Sequence, residues 1–248
     1  MTARRRDIDL ANWPVAILAG GLATRLRPTT NNIPKALLNV AGEPFVVHQL
    51  RLLRSEGFRK IVLCVGHLGE LIEAKIGDGK RLDLQIDYSF DGPTLLGTGG
   101  ALKRAISKLG DQFLVIYGDS YMPVDYAAVV EAFVRSEKPA LMTVFENEGR
   151  WDASNVWFKE GEIHRYHKKE RTSQMRHIDY GISVLTAEVF AAFPDNAPFD
   201  VADLYSRLVS EKQMAAYEVK ERFYEIGSAE GLAELDALLR NNTVSLPT

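Results

Sequence analysis

Arg25, Lys35 and Asp119 are the residues whose type and setting promise chemistry. Arg25 lies in Leu18-Ala19-Gly20-Gly21-Leu22-Ala23-Thr24-Arg25-Leu26-Arg27-Pro28, and Lys35 follows soon after in Pro34-Lys35. Glycines let backbone N–H groups approach phosphate oxygens and form an anion-binding nest. Arginine adds a bidentate fork and lysine a mobile point charge, both suited to a triphosphate. Asp119 stands in Tyr117-Gly118-Asp119-Ser120, directly after an apolar run. A carboxylate at a strand end can hold Mg²⁺ beside phosphates, because that ion takes carboxylate, water and phosphate oxygens. Each feature has a plainer reading alone: a tight turn, a surface arginine, an Asp cap or turn residue. Their combination favours a phosphate site.

The common phosphate and nucleotide motifs are absent. No Gly-x-x-x-x-Gly-Lys-Ser/Thr occurs, and no Gly-x-Gly-x-x-Gly opens the first helix, so neither a P-loop nor a dinucleotide fold is supported. The protein-kinase signature set is missing as well. A second glycine-rich stretch, Leu96-Gly97-Thr98-Gly99-Gly100-Ala101, reads as an entry into a helix. Such an entry can present N–H groups to a ligand, or it can be a flexible turn with Thr98 as N-cap.

These motifs need a scaffold, and the sequence describes one. Residues 14–19, 61–65 and 113–117 are short apolar runs of the kind buried on both faces of a parallel sheet. Helical spacing covers 44–57, where Phe45, Val46, Leu50 and Leu53 form a stripe and Gly57 a stop, and again 98–109. This alternation, continuing to about Val134, predicts a doubly wound, Rossmann-like α/β fold with a mixed sheet flanked by helices. Beyond Ala140 the texture changes to short strands over 140–145, 156–158, 163–166 and 180–185, a smaller antiparallel region. A helix over 201–210, strands over 214–219 and 223–226 and a last helix over 229–240 complete the pattern. The expectation is one domain over 1–248, with a flexible arm over 1–12 and a frayed tail over 241–248.

Composition narrows the function. Of 248 residues 46% are hydrophobic, enough for a sizeable core, and the net charge of -3 shows no basic excess of the kind nucleic-acid binding requires. No apolar stretch approaches a membrane span. The single cysteine, Cys64, permits no intrachain disulfide and lies in the apolar run Ile61-Val62-Leu63-Cys64-Val65, so it reads as core. His164 and His167 point to opposite faces of a strand and do not make a zinc site. Trp151 and Trp157 read as core or turn packing. A cytoplasmic protein is expected.

Leu-Ala-Gly-Gly-x-x-Thr-Arg-Leu-x-Pro followed by Pro-Lys resembles the signature of the sugar-1-phosphate nucleotidyltransferases, and the resemblance extends over nearly all of residues 14–240. It implies an enzyme that joins a nucleoside triphosphate to a phosphorylated small molecule with Mg²⁺ as cofactor. By that likeness Ala19, Gly20 and Gly21 wrap the nucleotide phosphates, Arg25 holds the leaving pyrophosphate and Lys35 the reacting phosphates. Gly97 and Thr98 face the base, with Gly66 close to it. Asp119 is the metal aspartate, and Glu225 of Tyr224-Glu225-Ile226-Gly227 stands where the family has a second one. On the acceptor side lie Gly118, Lys169, Asp179 and Gly181. Lys168 replaces an acidic residue of the family and Asp179 an asparagine, a departure that implies a less common acceptor. A cytidylyltransferase acting on phosphocholine, and a non-catalytic nucleotide-sugar sensor, are the alternatives. A dehydrogenase lacks its fingerprint.

Overall fold

Val15, Ala16 and Ile17 are completely buried, and the strand they belong to runs through the middle of the molecule. The structure, a computed structural model, describes residues 8–22, 26, 29–147, 149–151 and 153–244. In chain order it contains β1 (Val15–Leu18), β2 (Asn39–Val40), β3 (Glu43–Pro44), α1 (Phe45–Ser55), β4 (Lys60–Val65) and α2 (Gly69–Ile76). Then come β5 (Gln85–Phe90), α3 (Gly97–Leu109), β6 (Gln112–Tyr117), β7 (Ser120–Tyr121), α4 (Tyr126–Ser136) and β8 (Ala140–Glu146). The last part holds β9 (Val156–Lys159), β10 (Glu162–Tyr166), β11 (His177–Thr186), α5 (Val201–Ser210), β12 (Met214–Val219), β13 (Tyr224–Glu225) and α6 (Ala229–Val244).

Four strands, β5-β4-β1-β6, pair in parallel. Strand β11 adds antiparallel to β6, β8 antiparallel to β11, and β12 parallel to β8. The hairpin β9–β10 attaches to the start of β11. The sheet is therefore mixed, with the antiparallel portion in the second half of the chain, as the sequence predicts. Helices cover both faces. One core joins Val46, Leu50 and Leu53 of α1 to Val129, Val130 and Phe133 of α4 across β1 and β4. The other joins Leu102 and Ala105 of α3 to Leu204 and Leu208 of α5. A third, smaller core packs Leu235 of α6 on Leu38, Val40, Phe45 and Ile226.

Two longer elements escaped the sequence reading, along with the two-residue strands β2, β3 and β7. Strand β5 is an edge strand with both buried and exposed positions, so it never shows as a continuous apolar run. Helix α2 has only eight residues and buries only Gly69 and Ile72. Both ends also differ from expectation. Residues 8–12 do not behave as an arm: Leu10 is buried, and Asp9 Oδ1 accepts from the Ala11 N–H at 3.1 Å. Residues 1–7 lie outside the described residues. Helix α6 continues past the expected stop to Val244.

Candidate active site

The order of the parallel strands reverses beside β1, and in open α/β sheets ligands bind outside the strand ends at that point. Here the chain leaves β1 as Leu18-Ala19-Gly20-Gly21. It is tied on both sides, by Ala19 N–H to Cys64 O at 2.8 Å and Gly118 N–H to Leu18 O at 3.0 Å. Gly118 has to be a glycine, because a Cβ there would stand 2.5 Å from Leu18 O. Around these ends lies a cavity of about 400 Å³. Ala19, Gly20, Gly21, Gly97, Thr98 and Gly118 line it, and so do Lys35 and Asp119. Gly66 packs against Gly20, and a Cβ there would stand 2.8 Å from Gly20 O and 3.0 Å from Asp91 Oδ2. Arg25 lies outside the described residues.

Lys35 and Asp119 meet directly. Lys35 Nζ donates to Asp119 Oδ2 at 2.7 Å, with Lys35 mostly buried and Asp119 facing the opening. Pro34, in extended conformation, starts the tight turn that carries Lys35. Asp119 is held from two sides. The Gln49 amide, buried on α1, donates to Tyr117 O at 3.0 Å and Ser120 O at 2.7 Å, clamping the loop around Asp119. The Ile226 N–H donates to Asp119 O at 3.0 Å, and β13 pairs with β7 so that Glu225 stands opposite Ser120. Two carboxylates far apart in sequence are thus brought near one another, Asp119 in the turn just before β7 and Glu225 on β13. Gln49 was not singled out in the sequence, where a glutamine within a helical stripe carries no distinguishing mark.

The start of α3 is built differently from its sequence reading. The N–H groups of Gly99 and Gly100 both donate to Phe199 O, at 3.0 and 3.4 Å, so they are not presented to a ligand. Thr98 Oγ1 donates to Asp200 Oδ1 at 2.9 Å and accepts from the Val201 N–H at 2.9 Å. Asp200 caps α5 by accepting from Ala202 N–H at 3.0 Å, and its other oxygen takes Lys168 Nζ at 2.5 Å. Burial alone would raise the Asp200 carboxyl, but Lys168, the Ala202 N–H and Thr98 hold it below its ordinary value. Asp91, at the end of β5, also lines the cavity and accepts from the Leu96 N–H at 3.1 Å. Burial pushes its carboxyl up against the opposing pull of that N–H and of Arg104.

The acceptor-side residues gather around β11. Its pairing with β8 is irregular between Asp179 and Ser183, and Gly181 within that bulge has φ +106°. A Cβ there would crowd Met122 Sδ at 3.1 Å and the Tyr117 ring at 3.2 Å. The bulge lets Asp179 Oδ1 accept from the Gly181 N–H at 3.1 Å. Burial raises the Asp179 carboxyl to about 6, although the Gly181 N–H, the Tyr117 hydroxyl and the Lys168 charge oppose the shift. The Tyr117 side of this contact forms cavity wall; Asp179 and Gly181 sit behind it. Lys169 is not brought to the cavity: it is exposed, with its backbone N–H on His167 Nδ1 at 3.2 Å.

The model of the nucleotidyl transferase family matches residues 15–241. The chain belongs to this family. Its relatives include the UTP–glucose-1-phosphate uridylyltransferase of Synechocystis sp., 32% identical over 213 residues, covering 78% of this chain and 54% of the relative. The chain thus spans about half the length of that protein. An N-acetylmuramate alpha-1-phosphate uridylyltransferase of Caulobacter vibrioides is 27% identical over 233 residues, 90% of this chain and 95% of the relative. The inositol-1-phosphate CTP transferase of T. maritima shares the fold, with a TM-score of 0.75 at 20% identity over 96% of this chain and 99% of that one.

Within this nucleotidyl transferase the remaining candidates take structural places. Cys64 is buried core as expected; burial and the nearby Asp91 push its thiol to about 12. Trp151 is not core: it is exposed in a turn, with the Arg222 guanidinium 3.5 Å from its ring centre. Trp157 of β9 is partly buried and packs against His164. Glu146, His177 and Glu218 cluster at one end of β8, β11 and β12. Arg176 and Lys220 already pair with the two glutamates, at 3.4 and 2.6 Å. Among the described residues, no helix is long and apolar enough to cross a membrane.

Proposed function

We propose that this chain condenses a nucleoside triphosphate with a sugar 1-phosphate, giving a nucleoside-diphosphate sugar and pyrophosphate. An oxygen of the acceptor phosphate attacks the α-phosphorus; the new O–P bond forms as the bond to the β-phosphate oxygen breaks, and pyrophosphate leaves in line. No covalent enzyme intermediate is required. Catalysis of this kind is positioning plus neutralisation of developing charge. The observation that carries the reading is the meeting of Lys35 and Asp119 at 2.7 Å in a cavity walled by Gly20 and Gly21.

In this reading the glycine turn after β1 receives the triphosphate, and Lys35, joined by Arg25, stabilises charge on the α-phosphate and the departing pyrophosphate. Asp119 and Glu225 are the residues that would hold Mg²⁺. Their oxygen donors suit that ion, and both are accessible, Asp119 just before β7 and Glu225 on the strand paired with it. When bound, the ion would neutralise phosphate charge. Gly66, Gly97 and Thr98 belong to the base side, while Gly118, Asp179, Gly181 and, from its exposed segment, Lys169 belong to the acceptor side. The chain acts as one catalytic domain, in the cytoplasm.

The test is pyrophosphate release across a matrix of nucleoside triphosphates and sugar 1-phosphates, with phosphocholine as a non-sugar acceptor. Release that needs one triphosphate and one sugar 1-phosphate, and that stops with EDTA, is the expected result. Release with phosphocholine alone would move the acceptor to the choline class. Nucleotide binding with no release from any pair would contradict the enzyme and favour a sensor.

A further inference from the structure

Gln49 is the one amide in the buried stripe of α1, among Phe45, Val46, Leu50 and Leu53, and it is only 2% exposed. A polar group so placed is costly unless it is bonded. Its Nε2 gives one hydrogen to Tyr117 O at 3.0 Å and the other to Ser120 O at 2.7 Å. Turning the amide over would set Oε1 against two carbonyls, so these bonds fix its orientation. Oε1 is then left buried with no hydrogen-bond partner among the described residues. The helix thus carries an unmatched oxygen for the sake of two bonds to one turn, a local cost typical of functional sites.

That turn is the one that bears Asp119. Tyr117 and Ser120 bracket Gly118-Asp119, and the Ile226 N–H holds Asp119 O from the other side at 3.0 Å. Ser120, whose carbonyl Gln49 grips, is also the partner of Glu225 across β7 and β13. One amide therefore fixes the peptides beside the first carboxylate and the strand that registers the second. We propose that Gln49 is a positioning residue for Mg²⁺: through the 117–120 turn it sets the spacing of the Asp119 and Glu225 carboxylates, and it touches neither ion nor substrate. The inference rests on the Mg²⁺ ligands proposed above. Mg²⁺ demands near-ideal octahedral geometry, so a loosened turn weakens the ion before it weakens the nucleotide.

Mn²⁺, which takes the same oxygen donors, is the probe. It is titrated into the nucleotide-free protein and followed by EPR, and the Mg²⁺ dependence of pyrophosphate release is measured beside it. Gln49→Met keeps the length and removes both donors. It should bind Mn²⁺ about 10- to 100-fold more weakly, the scale for losing a group that orients a metal ligand. Half-maximal release should need correspondingly more Mg²⁺, while kcat at saturating Mg²⁺ changes far less. Gln49→Asn, whose shorter amide can serve one carbonyl at a time, should fall between and stands in if Gln49→Met does not fold. Val46→Ala loosens the same helix face without touching the turn; it should lower Tm and leave Mn²⁺ affinity where it was. Wild-type Mn²⁺ affinity in the folded Gln49 variants overturns the inference, and so does an equal loss in Val46→Ala. Failure of the metal ligands themselves shows elsewhere: no Mn²⁺ bound by the wild type, or undiminished binding by Asp119→Asn, would remove the metal site and the inference with it.

Discussion

The two halves of the cavity hold their polar groups by different means. On the β1 and β6 side the backbone does it: strand ends are locked by main-chain hydrogen bonds, and the Gln49 amide grips two carbonyls of the Asp119 loop. On the β11 side, side chains do most of the holding, through Lys168, Asp200 and Thr98, while Asp179 Oδ1 accepts from the Gly181 N–H. Backbone geometry tolerates change poorly, since an added Cβ at Gly118 would meet a carbonyl. A side-chain network can be rewritten by a few substitutions. The first half therefore speaks to the class of reaction and the second to the choice of substrates.

The sharpest way to break this contrast is at the charged pair on the backbone-built side. Lys35→Ala and Asp119→Ala should each lower kcat by on the order of 10²–10³, the scale for one preorganised electrostatic contact. The double variant should lose less than the product of the two, because residues in contact are not additive. Steady-state kinetics of the four proteins decides this, and full multiplicativity would show the two acting separately. Gln49→Leu comes next. It leaves Tyr117 O and Ser120 O without their donor, at roughly 1–3 kcal/mol for each buried group. Calorimetry should show Tm several degrees lower, and an unchanged Tm would remove the clamp from the account.

On the other side Asp179→Asn should stabilise. The folded carboxyl is raised from 3.8 to about 6, so the native state keeps its proton longer than the unfolded chain. Stability then falls as pH rises from 3.8 to about 6, and the ionised group carries the full penalty above that. Asparagine can still accept from the Gly181 N–H. The variant should melt higher than the wild type at pH 7.5, by up to roughly 3 kcal/mol of stability, with the gain fading towards pH 4. A gain that is equal at both pH values would point to packing instead. The smallest effect belongs to Lys168→Met. Its ion pair is largely exposed, and such pairs contribute about 0–1 kcal/mol, so Tm should hardly move.

The same contrast explains what the sequence disclosed. Val15 to Leu18 and its neighbours β4 and β6 are largely apolar runs, a glycine pair and a Gly-Asp follow at strand ends where ligands bind, and a Pro-Lys comes in the connection after the glycine pair, so scaffold and phosphate motifs were legible together. Asp200 was not, because a cap aspartate before a helix looks the same whether or not it grips a distant threonine. Thr98 was legible as a site residue, yet its hydroxyl is committed to Asp200 and the Val201 N–H, a partnership between segments that no local pattern announces. Strand β5 stayed hidden because an edge strand needs no unbroken apolar run.

The Phe199 carbonyl, which gathers the first N–H groups of α3, ties the nucleotide wall to a stretch of chain just before α5. Thr98 and Asp200 are 102 positions apart, yet a hydrogen bond joins them. Anyone who sets out to retune the triphosphate preference by directed evolution should therefore randomise the residues just before α5 along with the glycine turn. A library confined to the glycine turn would leave its splint unchanged.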